Sequence, residues 1–379
     1  MIKFQLAAWS ETGGRKHNED CFVVAKSVAD GKWDFSTNET VSLGYKGSLM
    51  VVCDGMGGMS AGEVASALAV DTIKDWFSAE KINEHILLSP DSVQRYICKA
   101  IQAADHAIKE EAAASKAKSG MGSTLVMSWI VGRRIYIGWC GDSRAYRYNP
   151  ESGLEQLTHD HSFVQELIDS GELDYNSAFE HPNSNIITRC LGDTDLDAAP
   201  ETTTKHLHND DVFLLCSDGL CGVLSEWDIE DIIAANIYDM KACREALISL
   251  AERKGWQDNV TLALCHIVEG GVTGSRTQTA IEPLQVVRPV YHNDTHTVTE
   301  KKYVFNINML VTALCSVIIL AAIAFVCGYF TGRHNTLQSI RNKIEVIPAA
   351  EPINIDENPY EKVEIGVALP DSAVVTPPD

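Results

Sequence analysis

Carboxylates and a fixed cation recur beside glycine turns in the first 260 residues, in runs that could together hold metal ions. Arg15-Lys-His-Asn-Glu19-Asp20 and Val52-Cys-Asp54-Gly55-Met56-Gly57-Gly58 come first. Gly141-Asp142-Ser143, Ser217-Asp218-Gly219 and Asp258-Asn259-Val260 follow. Converging Asp and Glu side chains repel and raise one another's pKa unless cations neutralise them, and hard ions such as Mg²⁺ or Mn²⁺ take oxygen ligands with water completing an octahedron. Glycine after Asp lets the backbone approach an ion closely. One Asp-Gly pair is an ordinary turn. Five acidic turns in this order point to a polynuclear divalent-metal site.

The segments around these turns must deliver the ligands. Residues 49–53, 135–140 and 212–216 are short, β-rich apolar runs, each ending just before an acidic turn, so they are expected to be buried strands opening into one mouth. Ser60 and Glu63 have capping-box spacing ahead of an apolar face made by Val64, Leu68, Ile73 and Trp76. A second helix is predicted after Pro90, with Val93, Ile97, Ile101, Ala104 and Ile108 at helical spacing. Ser225 and Asp239 are candidate caps for two later helices.

The ordered motifs carry a resemblance. Ser10-Glu-Thr-Gly13 through Asp20, residues 53–63, Gly122-Ser-Thr124, Gly141-Asp-Ser-Arg-Ala145, Leu157-Thr-His-Asp-His-Ser162, Ile187-Thr-Arg-Cys-Leu-Gly192, Ser217-Asp-Gly-Leu220 and Asp258-Asn-Val-Thr261 are similar to the metal-dependent Ser/Thr protein phosphatases of type 2C, in their bacterial form. The resemblance implies an α/β (α+β) fold, a four-layer αββα sandwich of two antiparallel sheets flanked by helices with the metals at one edge. It implies that Asp54 bridges two Mn²⁺ or Mg²⁺ ions. The Gly55 carbonyl and Glu19 would serve one ion, and Asp218 and Asp258 the other. Asp20 would be a supporting carboxylate, and Asp142 with Asp218 would support a third, looser ion. Arg15 would grip phosphate oxygens through its planar fork, and Asn259 would orient its loop by hydrogen bonds. A water shared by the two ions would attack phosphorus in line. Substrates would be phosphoserine and phosphothreonine proteins, the targets of a Ser/Thr kinase.

Blander readings stand beside these. Arg15 could make a surface ion pair with Glu11 or Glu19, and Asp142 could cap its own turn. His159 and His161 flank Asp160 in a loop where histidine is more often structural. Two departures from the family pattern are visible. Met56 stands where many eukaryotic members place a His that protonates the leaving alcohol, so water must do so. Gly222 stands where an Asp is often found, which weakens a third ion. Asp193-x-Asp195-x-Asp197 begins like a calcium loop, but Ala198 and Thr204 occupy the positions that need Gly and Glu. Cys327 and Arg333 have the spacing of cysteine-dependent phosphatases, but that Cys closes an apolar run, where burial suppresses the thiolate. The alternative function from another class is a catalytically weak phosphoprotein-binding sensor or scaffold of the same fold.

The chain has 379 residues and a net charge of -21, which argues against nucleic-acid binding and against docking on acidic lipid. Its eleven cysteines show no Cys-x-x-Cys pair, so a reducing compartment is expected. Residues 1–269 read as the catalytic domain. Residues 270–308, polar and broken by Pro283 and Pro289, read as a linker. Residues 309–330 carry no charge and are long enough to span a bilayer as one transmembrane helix. Residues 331–379 then form a proline-rich extracytoplasmic tail. Lys301 and Lys302 before the span nearly balance Arg333, Arg341 and Lys343 after it, so charge does not orient it. The thiols, and the lack of a long apolar core in residues 1–10, favour a single-pass protein of the cell membrane with its catalytic domain cytoplasmic.

Overall fold

Strand β4 (Ser48–Met56) shows how the sequence builds two cores at once. Leu49, Val51 and Cys53 enter one core and Met50 and Val52 another, because successive side chains point to opposite faces of a strand. Both faces are covered, and the strand therefore reads as a continuous apolar run rather than an alternating one. The computed structural model describes residues 1–57, 61–174, 177 and 181–272, all within one compact unit.

One sheet has the order β3 (Val41–Ser42), β1 (Lys3–Glu11), β12 (Val260–Glu269), β11 (Val212–Cys216), β8 (Arg144–Asn149), β9 (Gly153–Gln156). The other runs β10 (Glu201–His206), β7 (Arg134–Cys140), β6 (Leu125–Val131), β4, β2 (Asp20–Ala25), with the two-residue β5 (Gly122–Ser123) attached to β4. Every named pair is antiparallel. Phe4, Met50, Val52, Trp139, Phe213 and Cys265 fill the space between the sheets.

Helices α1 (Ala61–Trp76) and α2 (Pro90–Ala114) cover the outer face of the β4 sheet, with Ile73, Ile97 and Ile101 packed among Leu49, Val51 and Trp129. On the other side, the single turn α4 (Asp218–Cys221), α5 (Glu226–Asn236) and α6 (Met240–Arg253) cover Leu214, Leu262 and Leu264. These layers are the expected αββα sandwich. A further helix, α3 (Phe163–Ser170), lies in the excursion between β9 and β10, capped by Ser162 at its start and closed by Gly171.

The predicted helix starts are largely met. Pro90 begins α2 rather than preceding it, because Ser89 caps the Ser92 N–H and proline has no N–H to waste at the first turn. Ser225 forms a capping box with Asp228, and Asp239 accepts from the Ala242 N–H. Asp54 lies inside β4 rather than just past its end, since that strand runs on to Met56. The cap assigned to Ser60, the linker beyond Val272, the span at 309–330 and the tail lie outside the described residues. Among the described residues no helix is long and apolar enough to cross a membrane.

Candidate active site

The register of β2 against β4 sets Asp20 directly opposite Asp54. The Gly55 N–H donates to the Glu19 carbonyl at 3.2 Å, which makes 19 and 55 a hydrogen-bonded pair. Asp20 and Asp54 are then a non-hydrogen-bonded pair, the kind in which facing side chains come closest. Both continue the face of β2 and β4 that carries Val24, Met50 and Val52 into the space between the sheets. Asp218 follows β11, Asp258 and Asn259 lead into β12, and Asp142 follows β7, so the strand ends bring all five aspartates to one mouth.

The electrostatics of four of them follow from this convergence. Burial, then the charges of Asp20 and Asp218, then a hydrogen bond with Asp218, push the Asp54 carboxyl well above the usual range. Asp142 is raised well above it by burial and by Asp218 and Asp160. Asp218 is raised by burial, opposed by its bond to Asp54. Asp20 is pushed up to about 7 by burial, against hydrogen bonds from Thr261 and from Ser217, whose Oγ donates to Asp20 Oδ2 at 2.8 Å. Buried acids shifted together in this direction are short of positive charge.

Buried acceptors suit the site to a metal ion. Asp20 Oδ1, Asp142 Oδ1 and Asp218 Oδ1 are buried and meet no hydrogen-bond donor. Hard divalent cations are the natural partners of such oxygens. Among the described residues, no three His, Cys, Asp or Glu side chains yet form a closed coordination group. One of the aspartates is engaged by Arg15, whose Nη2 lies 2.6 Å from Asp258 Oδ2. This bond is the first cause of the raised Arg15 pKa. Arg15 therefore pairs with a predicted ligand rather than with Glu11 or Glu19, and its guanidinium stays half exposed at the mouth.

Backbone contacts fix these side chains in place. Asn259 is buried; its Nδ2 donates to the Thr12 and His17 carbonyls, both at 2.8 Å, and its Oδ1 accepts the Glu19 N–H at 2.8 Å. It thus pins the Arg15 loop to the start of β12 rather than only ordering its own turn. Gly13, at φ +57°, has no room for a side chain, since a Cβ would lie 1.9 Å from the Asp258 carbonyl oxygen. Gly55 crosses α1 closely enough that a Cβ there would meet the Gly62 carbonyl at 2.1 Å. Across Gly62, a Cβ would meet the Glu19 carboxyl carbon at 2.9 Å, which places that acid beside the Gly55 crossing.

Sequence reasoning assigns no role to several residues that hold the site. Thr124 Oγ1 accepts the Asp54 N–H at 3.1 Å and meets Ser143 Oγ at 2.7 Å. The Arg144 guanidinium grips Asp160, with Nε at 2.8 Å and Nη2 at 2.6 Å from Oδ2. Their signal is membership of the Gly122-Ser-Thr124 and Gly141-Asp-Ser-Arg motifs, but hydrogen-bond partners scattered along the chain are not legible from spacing. His161 is buried and its Nδ1 accepts the Gly141 N–H at 3.1 Å, so it steadies the turn before Asp142. His159 pairs with Asp169 at the surface. The Asp193 loop is closed by protein groups, with Asp193 Oδ1 accepting the Asp195 N–H and Lys109 bound to Asp197.

The sequence pattern of the family described as Protein phosphatase 2C matches residues 12–260. The chain belongs to the protein phosphatase 2C family. Similar curated proteins include the serine/threonine phosphatase stp of Listeria welshimeri, 34% identical over 221 residues that make up 57% of this chain and 83% of that one. Another is the serine/threonine protein phosphatase PstP of Mycobacterium tuberculosis, 34% identical over 226 residues, 59% of this chain and 41% of that protein. Among solved structures, the catalytic domain of PstP in complex with two manganese ions superposes with a TM-score of 0.57 at 29% identity, covering 71% of this chain and 100% of that one. The Streptococcus agalactiae serine/threonine phosphatase gives 0.60 at 27% identity, covering 70% and 100%. The protein is a metal-dependent Ser/Thr phosphatase of the bacterial 2C type.

Proposed function

We propose that this protein removes phosphate from phosphoserine and phosphothreonine side chains of proteins, using two Mn²⁺ or Mg²⁺ ions, and that residues 309–330 anchor it in the cell membrane with the catalytic domain cytoplasmic. The observation that carries the catalytic part is the cross-strand pair Asp20 and Asp54, surrounded by buried carboxylate oxygens without donors. Asp54, the Gly55 carbonyl and Glu19 would hold one ion. Asp54, Asp218 and Asp258 would hold the other, with Asp20 supporting from the neighbouring strand. Asp142 and Asp218 would hold a third only weakly, since residue 222 is glycine. When bound, such ions polarise phosphoryl oxygens and lower the pKa of water at neutral pH.

The chain's own groups do the rest. Arg15 exchanges Asp258 for the phosphate, two parallel N–H donors matching two phosphate oxygens. Asn259 keeps the Arg15 loop at a fixed height above the carboxylates. Thr124 and Ser217 hold Asp54 and Asp20 through hydroxyl hydrogen bonds, so that little reorganises as substrate enters. Met56 offers no proton, and solvent protonates the leaving alcohol. By family resemblance, the substrates are the products of a Ser/Thr kinase in the same cell.

The test of catalysis is phosphate release from a phosphothreonine peptide by the full chain. Release is expected with Mn²⁺ and not after chelation; binding of peptide without release would instead favour a scaffold. The membrane part rests on the uncharged length of 309–330 alone. Protease protection of tags at the two ends of the membrane-inserted protein should show the N-terminal tag on the cytoplasmic side and the C-terminal tag outside, and an exported N-terminal tag would overturn that orientation.

A further inference from the structure

A cavity of about 370 Å³ opens directly beside Asp142 and Asp218. Val164, Gln165 and Ile168 of α3, with Ser184 and Asn185, make one wall; Leu224, Ser225, Glu226 and Trp227 at the start of α5 make the other. Its size is at the lower end of the range for sites that enclose a ligand. Gly222, which follows α4 and has no side chain, also lines this space. Asp142 and Asp218 line it too, so the cavity adjoins the reaction centre.

Its chemistry favours a cation on an aliphatic stem. Apart from Asp218, which would hold an ion, and Asp142, which would hold one only weakly, Asp160 and Glu226 line it against a single cation, Arg144, whose guanidinium is already bound by Asp160. Asp142 is more than nine-tenths buried, and its Oδ1 meets no donor. The apolar surface of Val164, Ile168 and Leu224 suits methylene groups. Trp227 is 78% exposed at the rim, an unusual cost for an indole that serves only packing. Aromatic faces attract ammonium and guanidinium groups, and long basic side chains lay their stems on apolar surface while the charge stays at polar groups. The chain's charge of -21 also draws basic segments toward it.

We propose that this cavity is the subsite for a Lys or Arg side chain flanking the phosphorylated residue of the protein substrate, with Trp227 as its platform. The proposal rests on the phosphoprotein phosphatase reading and names the substrate class within it: phosphoproteins with basic sequence beside the phosphate. Glu226 and Trp227 then set specificity.

The experiment measures kcat/KM of the Mn²⁺-loaded full chain on phosphothreonine peptides that differ only in having Lys, Leu or Glu at one position, scanned from three before to three after the phosphoresidue. At one position the Lys peptide is expected to exceed the Glu peptide by about 10-fold, and Trp227→Ala should shrink that ratio to about 3-fold or less. Glu226→Lys should invert it. Trp227 is exposed enough for its replacement to leave the fold intact, and the two variants act on opposite features of the same rim. A flat scan, or a Lys preference unchanged in both variants, would overturn the subsite. Hydrolysis of p-nitrophenyl phosphate separates the two levels. If that ester turns over and the peptide scan is flat, only the subsite fails; if neither ester nor peptide is hydrolysed with Mn²⁺ present, the phosphatase reading fails and takes the subsite with it.

Discussion

Asp54→Asn is expected to lower kcat/KM on a phosphothreonine peptide by at least about 10³-fold, a loss of about 4 kcal/mol of transition-state stabilisation at 1.4 kcal/mol per decade. The metal-free fold should lose nothing. Asp54 sits opposite Asp20, shares a hydrogen bond with Asp218 and has its ionised form opposed by burial and by three neighbouring acids. An amide has the shape of the protonated acid and carries no charge, so it relieves repulsion where the carboxylate suffers it. It also keeps the volume, leaving the contacts of Val52 and Cys53 in their two cores undisturbed. An amide cannot replace a carboxylate shared between two cations. The variant should therefore melt at the wild-type temperature or higher without metal, and its stabilisation by Mn²⁺ should largely vanish. Near-normal turnover would remove Asp54 from the bridging role, and a large drop in the metal-free melting temperature would show it to be a packing residue.

The second large effect is a pH-dependent stabilisation by metal. Asp20 has a folded-state pKa raised to about 7 against an ordinary value of 3.8, and Asp54, Asp142 and Asp218 shift in the same direction. A raised acid binds its proton more tightly in the folded state. Its stabilising contribution is complete below about pH 4 and is lost as pH rises through about 7, at up to about 1.4 kcal/mol per pH unit for each proton released. His266 works in the opposite sense, because burial lowers its pKa, but it does so with and without metal. The informative quantity is thus the gain in melting temperature on adding Mn²⁺, followed from pH 5.5 to 7.5. Ligands must shed protons to bind a cation, so the gain should grow with pH. At a hundredfold excess over Kd the stabilisation is about 2.7 kcal/mol, or roughly 5 to 10 °C for a domain of this size. A gain that stays constant or shrinks toward pH 7.5 would mean that these carboxylates do not receive the ion.

Much of the architecture was legible because it depends on local patterning. Val212–Cys216 is a strand at the bounds its apolar run predicts, and Ser225 and Asp239 cap the helices assigned to them, since a side-chain oxygen three residues before a free N–H is a local event. Helix α3 carries local marks at both ends, Ser162 capping the Gln165 N–H and Gly171 closing it in the left-handed region, but only Val164 of its eight residues is buried, so little packing backs them. The partner of Arg15 was not legible, because it is distant along the chain. Glu11 and Glu19 are close along the chain, whereas Asp258 is 243 residues away and reaches Arg15 only because β1 lies against β12.

The sequence by itself determined the chemical inventory, because which residues are carboxylates, which turns carry glycine and which runs are apolar depend on composition and short spacing. It also determined the family, because the order of the motifs is a property of the chain. Only the tertiary structure decided that Asp20 faces Asp54 across a non-hydrogen-bonded register, that Asn259 ties two distant loops, and that a cavity lined by Trp227 reaches Asp142 and Asp218. Those facts depend on strand register and on the stacking of two sheets, where a shift of one residue would turn every ligand to the opposite face.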